Sequence, residues 1–116
     1  MNNLLTQMEP TRVTMGDREI QLFFSMGAAA QMEKELDMPY HKILEELFQR
    51  HEEDQPEPAP MTWERQAVVI ACLARAGGED ISAEDVMGLH MREFSALAQG
   101  AVKEILFKTP QGSKKK

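Results

Sequence analysis

The sequence predicts an α+β fold, mainly helical, in which an N-terminal β-hairpin packs on four to five α-helices. Three observations carry that expectation. Apolar and polar residues alternate only between Thr11 and Phe24, the period of strands. From Met26 onward apolar residues recur at i, i+3 and i+4, the period of helices. One continuous apolar run, Ala67 to Ala74, is long enough to centre a buried helix and far short of the roughly 20 residues a membrane span needs. With 116 residues the chain fits one domain, expected over 11–107, that buries roughly 65% of the surface its unfolded form exposes.

Residues 1–10 are polar, end at Pro10 and read as a flexible lead-in. In the hairpin, 11–24, Val13 and Met15 alternate with Arg12 and Thr14, and Gly16-Asp17 supplies turn chemistry. On the second strand Ile20, Leu22 and Phe24 alternate with Glu19, Gln21 and Phe23. A lone hairpin is marginal in water, so its apolar face must lie on helices or extend a sheet through another copy of the chain. Phe24 shares that face and is expected in the core, whereas Phe23 points the other way and is the first candidate for partner contact.

The run GAAAQMEKEL predicts a helix over 26–36, with Ala29, Met32 and Leu36 toward one side and Asp37-Met38-Pro39 as its stop. Gly27 and its alanines suggest close packing of that helix against the hairpin. Pro39 opens a helix expected over 40–52, where Tyr40, Ile43, Leu44, Leu47 and Phe48 form one stripe. Pro56, Pro58 and Pro60 remove backbone donors and make 53–61 an extended linker inside the domain. Thr62 caps the next helix, 62–76, whose stripe of Trp63, Ala67, Ile70, Leu73 and Ala74 is broadened by Val68, Val69, Ala71 and Cys72. Apolar on nearly every side, it is the expected central helix, ended by Gly77-Gly78. Ser82 to Asp85 reads as a capping box for a short helix over 83–89, through Val86 and Leu89. The last helix, 91–107, carries Phe94, Leu97, Ala98, Ala101, Val102, Ile105 and Leu106 at helical spacing, and 108–116 is expected to be a disordered basic tail.

The formal charge is -6, and residues 1–107 hold nine basic against nineteen acidic groups. That sign argues against nucleic acid and anionic membranes as partners and favours a basic partner or solubility alone. Cys72 is the single cysteine, set in an apolar run, so the reading is a buried thiol in a reducing cytoplasm. MNNLLTQMEP lacks the basic region and apolar core of a secretion leader.

No reactive constellation emerges from the pattern. His41, His51 and His90 stand apart from Cys72 and from one another, and HEED at 51–54 is not the zinc motif HExxH. Glu45-Glu46 and Glu52-Glu53-Asp54 read as a solvated acidic face, because acid–base work needs a shielded carboxylate. MGAAA lacks GxGxxG and a Walker lysine, and no serine has a GxSxG setting. No catalytic, cofactor or metal site is therefore expected, and the chain reads as a binding protein rather than an enzyme. Nine methionines are many for this length, and flexible thioethers suit surfaces that accommodate varied partners. With Phe23, the candidate partner-binding residues are Met26, Met87 and Met91.

The segment MGDREIQLFFSMGAAAQMEKELDMP resembles the start of the tail assembly chaperones of long-tailed bacteriophages. It shares a hairpin around a Gly-containing turn (Met15, Gly16, Asp17), a strand (Ile20, Gln21, Leu22), a small-residue helix start (Gly27, Ala28, Ala29) and acidic residues near a leucine (Glu33, Glu35, Leu36). The likeness covers about a quarter of the chain, its motifs are diffuse, and the proline linker at 56–60 departs from the family pattern. It implies a small cytoplasmic protein, absent from the mature virion, that binds the tape measure protein, keeps it soluble and recruits the tail tube protein. It also implies a longer product made by ribosomal slippage, for which Gly112 to Lys116 would suit the slip site. The rival expectations are a structural virion component, such as a head-tail connector or tail terminator subunit, and an acidic mimic of nucleic acid. Self-association through the hairpin edge is compatible with each.

Overall fold

Strand-period alternation closes into a hairpin, β1 (Thr11–Met15) and β2 (Arg18–Leu22), paired antiparallel with Thr11 opposite Leu22 and Val13 opposite Ile20. This is a computed structural model, and it describes residues 9–15, 17–49, 54 and 59–108. Five helices follow: α1 (Met26–Leu36), α2 (Tyr40–Phe48), α3 (Trp63–Ala76), α4 (Ala83–Met87) and α5 (Met91–Lys108). The α+β, mainly helical class expected from the periodicities is the class observed.

The apolar face of the hairpin lies on helices. Val13, Ile20 and Leu22 are buried against α5 and α3, within a core that also takes Met32, Ile43, Val86, Leu97 and Ile105. The central helix is α3, in which Ala67 and every residue from Val69 to Ala74 are buried. Two glycines let backbones approach closely. A Cβ on Gly77 would sit 2.3 Å from the Gln21 carbonyl oxygen, and one on Gly100 would sit 2.5 Å from Val13 Cγ2 and 3.1 Å from Leu22 Cδ1. Gly27, expected to serve that purpose, is exposed and meets only Ser25 Oγ at 3.7 Å. The close packing belongs to α5 and the end of α3 because those elements, not the start of α1, lie beneath and beside the strands.

Caps explain where the helices begin and end. Ser25 and Thr62 accept from the Ala28 and Arg65 amides at 3.1 and 3.2 Å. Ser82 and Asp85 form the reciprocal capping box, and the two hydrogen bonds from Ser82 hold the Asp85 carboxyl below its ordinary pKa. Pro39 contributes no side-chain cap, and the Glu33 carboxylate accepts from the Tyr40 amide at 2.7 Å instead.

Several expected boundaries move. The helix expected over 40–52 stops at Phe48, because Gln49 turns left-handed (φ 55) and its amide closes on the Glu45 carbonyl. The helix expected over 83–89 ends at Met87, where the Gly88 amide folds back onto Glu84 and Asp85 carbonyls. Met61, placed at the end of the linker, is buried in the core. Lys108, placed in the disordered tail, is the last residue of α5, held by an ion pair to Glu104. The lead-in at 1–8, Gly16 of the turn, residues 50–52 of the helix expected over 40–52, linker residues 53 and 55–58, and the tail at 109–116 lie outside the described residues.

Candidate functional site

The four residues proposed for partner contact do not gather into one site. Met87 and Met91 flank the junction of α4 and α5, whereas Phe23 lies near the other end of α5, beside Lys108, and Met26 follows three residues on, in the first turn of α1. The helix between them has 18 residues, about 25 Å at 1.5 Å per residue. They therefore belong to two surfaces.

At the N-terminal end of α5 two large apolar side chains are exposed. Met91 is 52% exposed, and Phe94, one turn further along the same face, is buried. Trp63 was expected in the core stripe, but it is 57% exposed, its ring tilted over Phe94 with centroids 6.4 Å apart. Met87 is exposed just before α5, and among the described residues Met26 is the most exposed large apolar residue at 82%, on the first turn of α1.

At the C-terminal end of α5 the chemistry is different, because a buried carboxylate organises it. Glu104 is 1% exposed and accepts from Thr11 Oγ1 at 2.6 Å, from the Phe24 amide at 2.8 Å and from Lys108 Nζ at 2.7 Å. Lys108 also donates to the Glu9 carbonyl at 2.7 Å and lies 5.1 Å from the Phe23 ring centroid. Phe23 is consequently half-buried, its amide donating to the Leu73 carbonyl at 3.0 Å, rather than free as its outward phase suggested. Phe24 is half-buried too, packed on the core and stacked on Tyr40 with centroids 5.7 Å apart. Beyond this network lies an open groove of about 460 Å³ between residues 9–12 and the Lys103, Glu104, Phe107 and Lys108 side of α5. Phe107 is 69% exposed there, with Lys103 Nζ 5.9 Å from its ring centroid.

Cys72 is buried in α3, and burial, reinforced by the nearby Glu35 carboxylate and opposed by Arg75, pushes its thiol up to about 11 from an ordinary value of 9.0. A thiol so far from ionising is a poor nucleophile at neutral pH. Among the described residues no group of three or more His, Cys, Asp or Glu side chains could hold a metal ion, and no helix is long and apolar enough to cross a membrane.

Phe107, Arg12, Lys103 and Glu104 are not singled out by the sequence pattern, and Trp63 is singled out only as core. Phe107 had a legible signal, since it falls off the stripe that runs from Phe94 to Leu106. Glu104 had a weaker one: it interrupts the buried positions of α5 and carries Lys108 four residues on. Nothing in the sequence points from Glu104 to Thr11, 93 residues away. Comparison of the chain with protein-family models, characterised proteins and solved structures finds no match.

Proposed function

We propose that the chain is a non-enzymatic tail assembly chaperone of a long-tailed bacteriophage, which binds the tape measure protein, keeps it soluble and recruits tail tube subunits. It works in the host cytoplasm and leaves before the virion is complete. The observation that carries this reading is the exposure of Trp63 and Met91, the Trp63 ring tilted over the buried Phe94, at one end of a well-covered core. A long helical client has an apolar stripe that water penalises, and covering it returns roughly 25 cal/mol per Å² before ordering costs. Trp63 offers a broad rigid surface, and Met87 and Met91 offer adaptable ones, a combination suited to many turns of one client rather than a single epitope. The hairpin leading into a small-residue helix supports the family resemblance at the level of element order.

Co-expression with the tape measure protein tests it. The full chain should hold that client in the soluble fraction, and Trp63→Ala with Met91→Ser should release it while leaving the circular dichroism of the chain unchanged. Mass spectrometry of finished particles supplies the second arm. Stoichiometric presence of the chain in those particles would replace the chaperone reading with that of a connector or terminator subunit.

A further inference from the structure

The two edges of the hairpin differ. On β2 the Gln21 amide donates to Glu79 Oε2 at 3.2 Å, the Phe23 amide to the Leu73 carbonyl, and the Gln21 carbonyl faces Gly77. These groups thus point away from β1 and are covered by the end of α3 and the segment after it. Since Arg12 is opposite Gln21 and Thr14 opposite Glu19, the ladder between the strands runs through Thr11–Leu22, Val13–Ile20 and Met15–Arg18. The amides and carbonyls of Arg12 and Thr14 must therefore point outward from the other side of the hairpin. No described residue meets them: the space beside Thr11 and Arg12 is the groove bounded by Lys103 and Phe107.

We propose that this edge of β1 accepts, as a third strand, an extended segment of another protein in which carboxylate and apolar residues alternate. Strand addition supplies the affinity through Arg12 and Thr14, whose four outward backbone groups match two residues of an antiparallel incoming strand or three of a parallel one. The side chains set the chemistry. Residues facing inward would cover the Phe107 ring, and those facing outward would meet Arg12. Among the described residues Arg12, Lys34, Arg92 and Lys103 have no ion pair, and of these Arg12 and Lys103 share the groove, in a chain of net charge -6. Lys108 is neutralised by Glu104, so exposed Glu9 is the one carboxylate of the groove that opposes them. A second copy docked through the same edge would set Arg12 and Lys103 against their own counterparts, which disfavours it. The inference stands apart from the tail-assembly reading, because its surface and its test involve neither Trp63 nor Met91 nor the tape measure protein.

The test uses the full chain and a fluorescent hexapeptide alternating glutamate with valine, followed by anisotropy, with amide exchange at Arg12 and Thr14 read in parallel. Both amides should exchange freely in the unbound chain and slow when the peptide binds. N-methylating one alternate set of peptide amides should abolish binding and the other set should leave it, the glutamates carrying the bonds in an antiparallel strand and the valines in a parallel one. Lys103→Glu should weaken binding about fivefold, and a lysine–valine peptide should fail to bind. The proposal is overturned if the acidic peptide does not bind, if both N-methylated peptides bind alike, or if the lysine peptide binds as well. It is equally overturned if Arg12 and Thr14 are already protected in the free chain, which would mean that a second copy or another part of this chain occupies the edge.

Discussion

Removing the Glu104 carboxylate should cost this protein about 3–5 kcal/mol, a large share of the roughly 5–15 kcal/mol that a domain of this size has. Glu104→Ala strands the Phe24 amide, leaves the Lys108 ammonium, whose side chain is only 12% exposed, with the Glu9 carbonyl but no counter-charge, and opens a void where the side chain lay. Glu104→Gln is a gentler perturbation. Its amide oxygen can still accept from Phe24 and Lys108 while its nitrogen donates to Thr11 Oγ1, so what disappears is the charge, worth about 1–2 kcal/mol for hydrogen bonds of 2.7 and 2.8 Å. Glu104→Leu with Lys108→Leu removes both charges and takes these partners only from neutral groups, the Phe24 amide, the Thr11 hydroxyl and the Glu9 carbonyl, so it should be less damaging than Glu104→Ala alone. Urea unfolding followed by helical circular dichroism, at constant m, ranks the three. A loss below about 1 kcal/mol for Glu104→Ala would refute the argument that this carboxylate joins β1, the β2–α1 connection and the end of α5.

Gly77→Ala should cost about 3 kcal/mol, because the new methyl meets the Gln21 backbone 2.3 Å away and that backbone is itself hydrogen-bonded; unfolding midpoints read it. Gly100→Ala gains about 1 kcal/mol in helix propensity but collides with Val13, so a net loss of about 1–2 kcal/mol is expected, and adding Val13→Ala should recover part of it. Cys72 at pH 8 has a thiolate fraction about a hundredfold below that of an ordinary thiol, so a disulfide reagent should label the native chain at least a hundredfold more slowly than the urea-unfolded chain. The raised pKa also sets a sign: its stabilising effect is complete below pH 9 and is lost toward pH 11, so Cys72→Ala should flatten the stability loss across that window. The lowered pKa of Asp85 works in the opposite sense, present above its ordinary value of 3.8 and lost as acid titrates the folded group, so the Ser82 amide shift in NMR should titrate with a midpoint below 3.8.

Most of the architecture was legible because it is written in local periods. Alternation placed β1 and β2, i, i+3 and i+4 spacing placed α2 and α5, and the caps at Thr62 and Ser82 were readable as residue types. What escaped reading depends on distance in sequence or on backbone choice. Gln49 adopts a left-handed turn without being Gly or Asn, and the close approaches of Gly77 and Gly100 involve strands more than fifty residues away. The same division holds for the surfaces. Met26, Met87 and Met91 were found from composition and are indeed exposed, but Trp63 looked like core because a stripe shows which side chains share a face and not how far each is covered. Leu106 misleads for a related reason, being 41% exposed on the flank of a stripe whose centre is filled by Leu97, Ala101 and Ile105.

The sealing of β2 by the Gly77 turn makes the hairpin a sheet with a single docking side. Fibre growth by strand pairing needs every unit to offer both a front and a back, and here the back is shut by a backbone contact too tight to admit even a methyl group. Any copy-to-copy pairing through strands must accordingly stop at two, and any foreign strand ends the sheet with its own far edge. Opening that seal, as Gly77→Ala would, is the substitution expected to turn a self-limiting protein into one that aggregates.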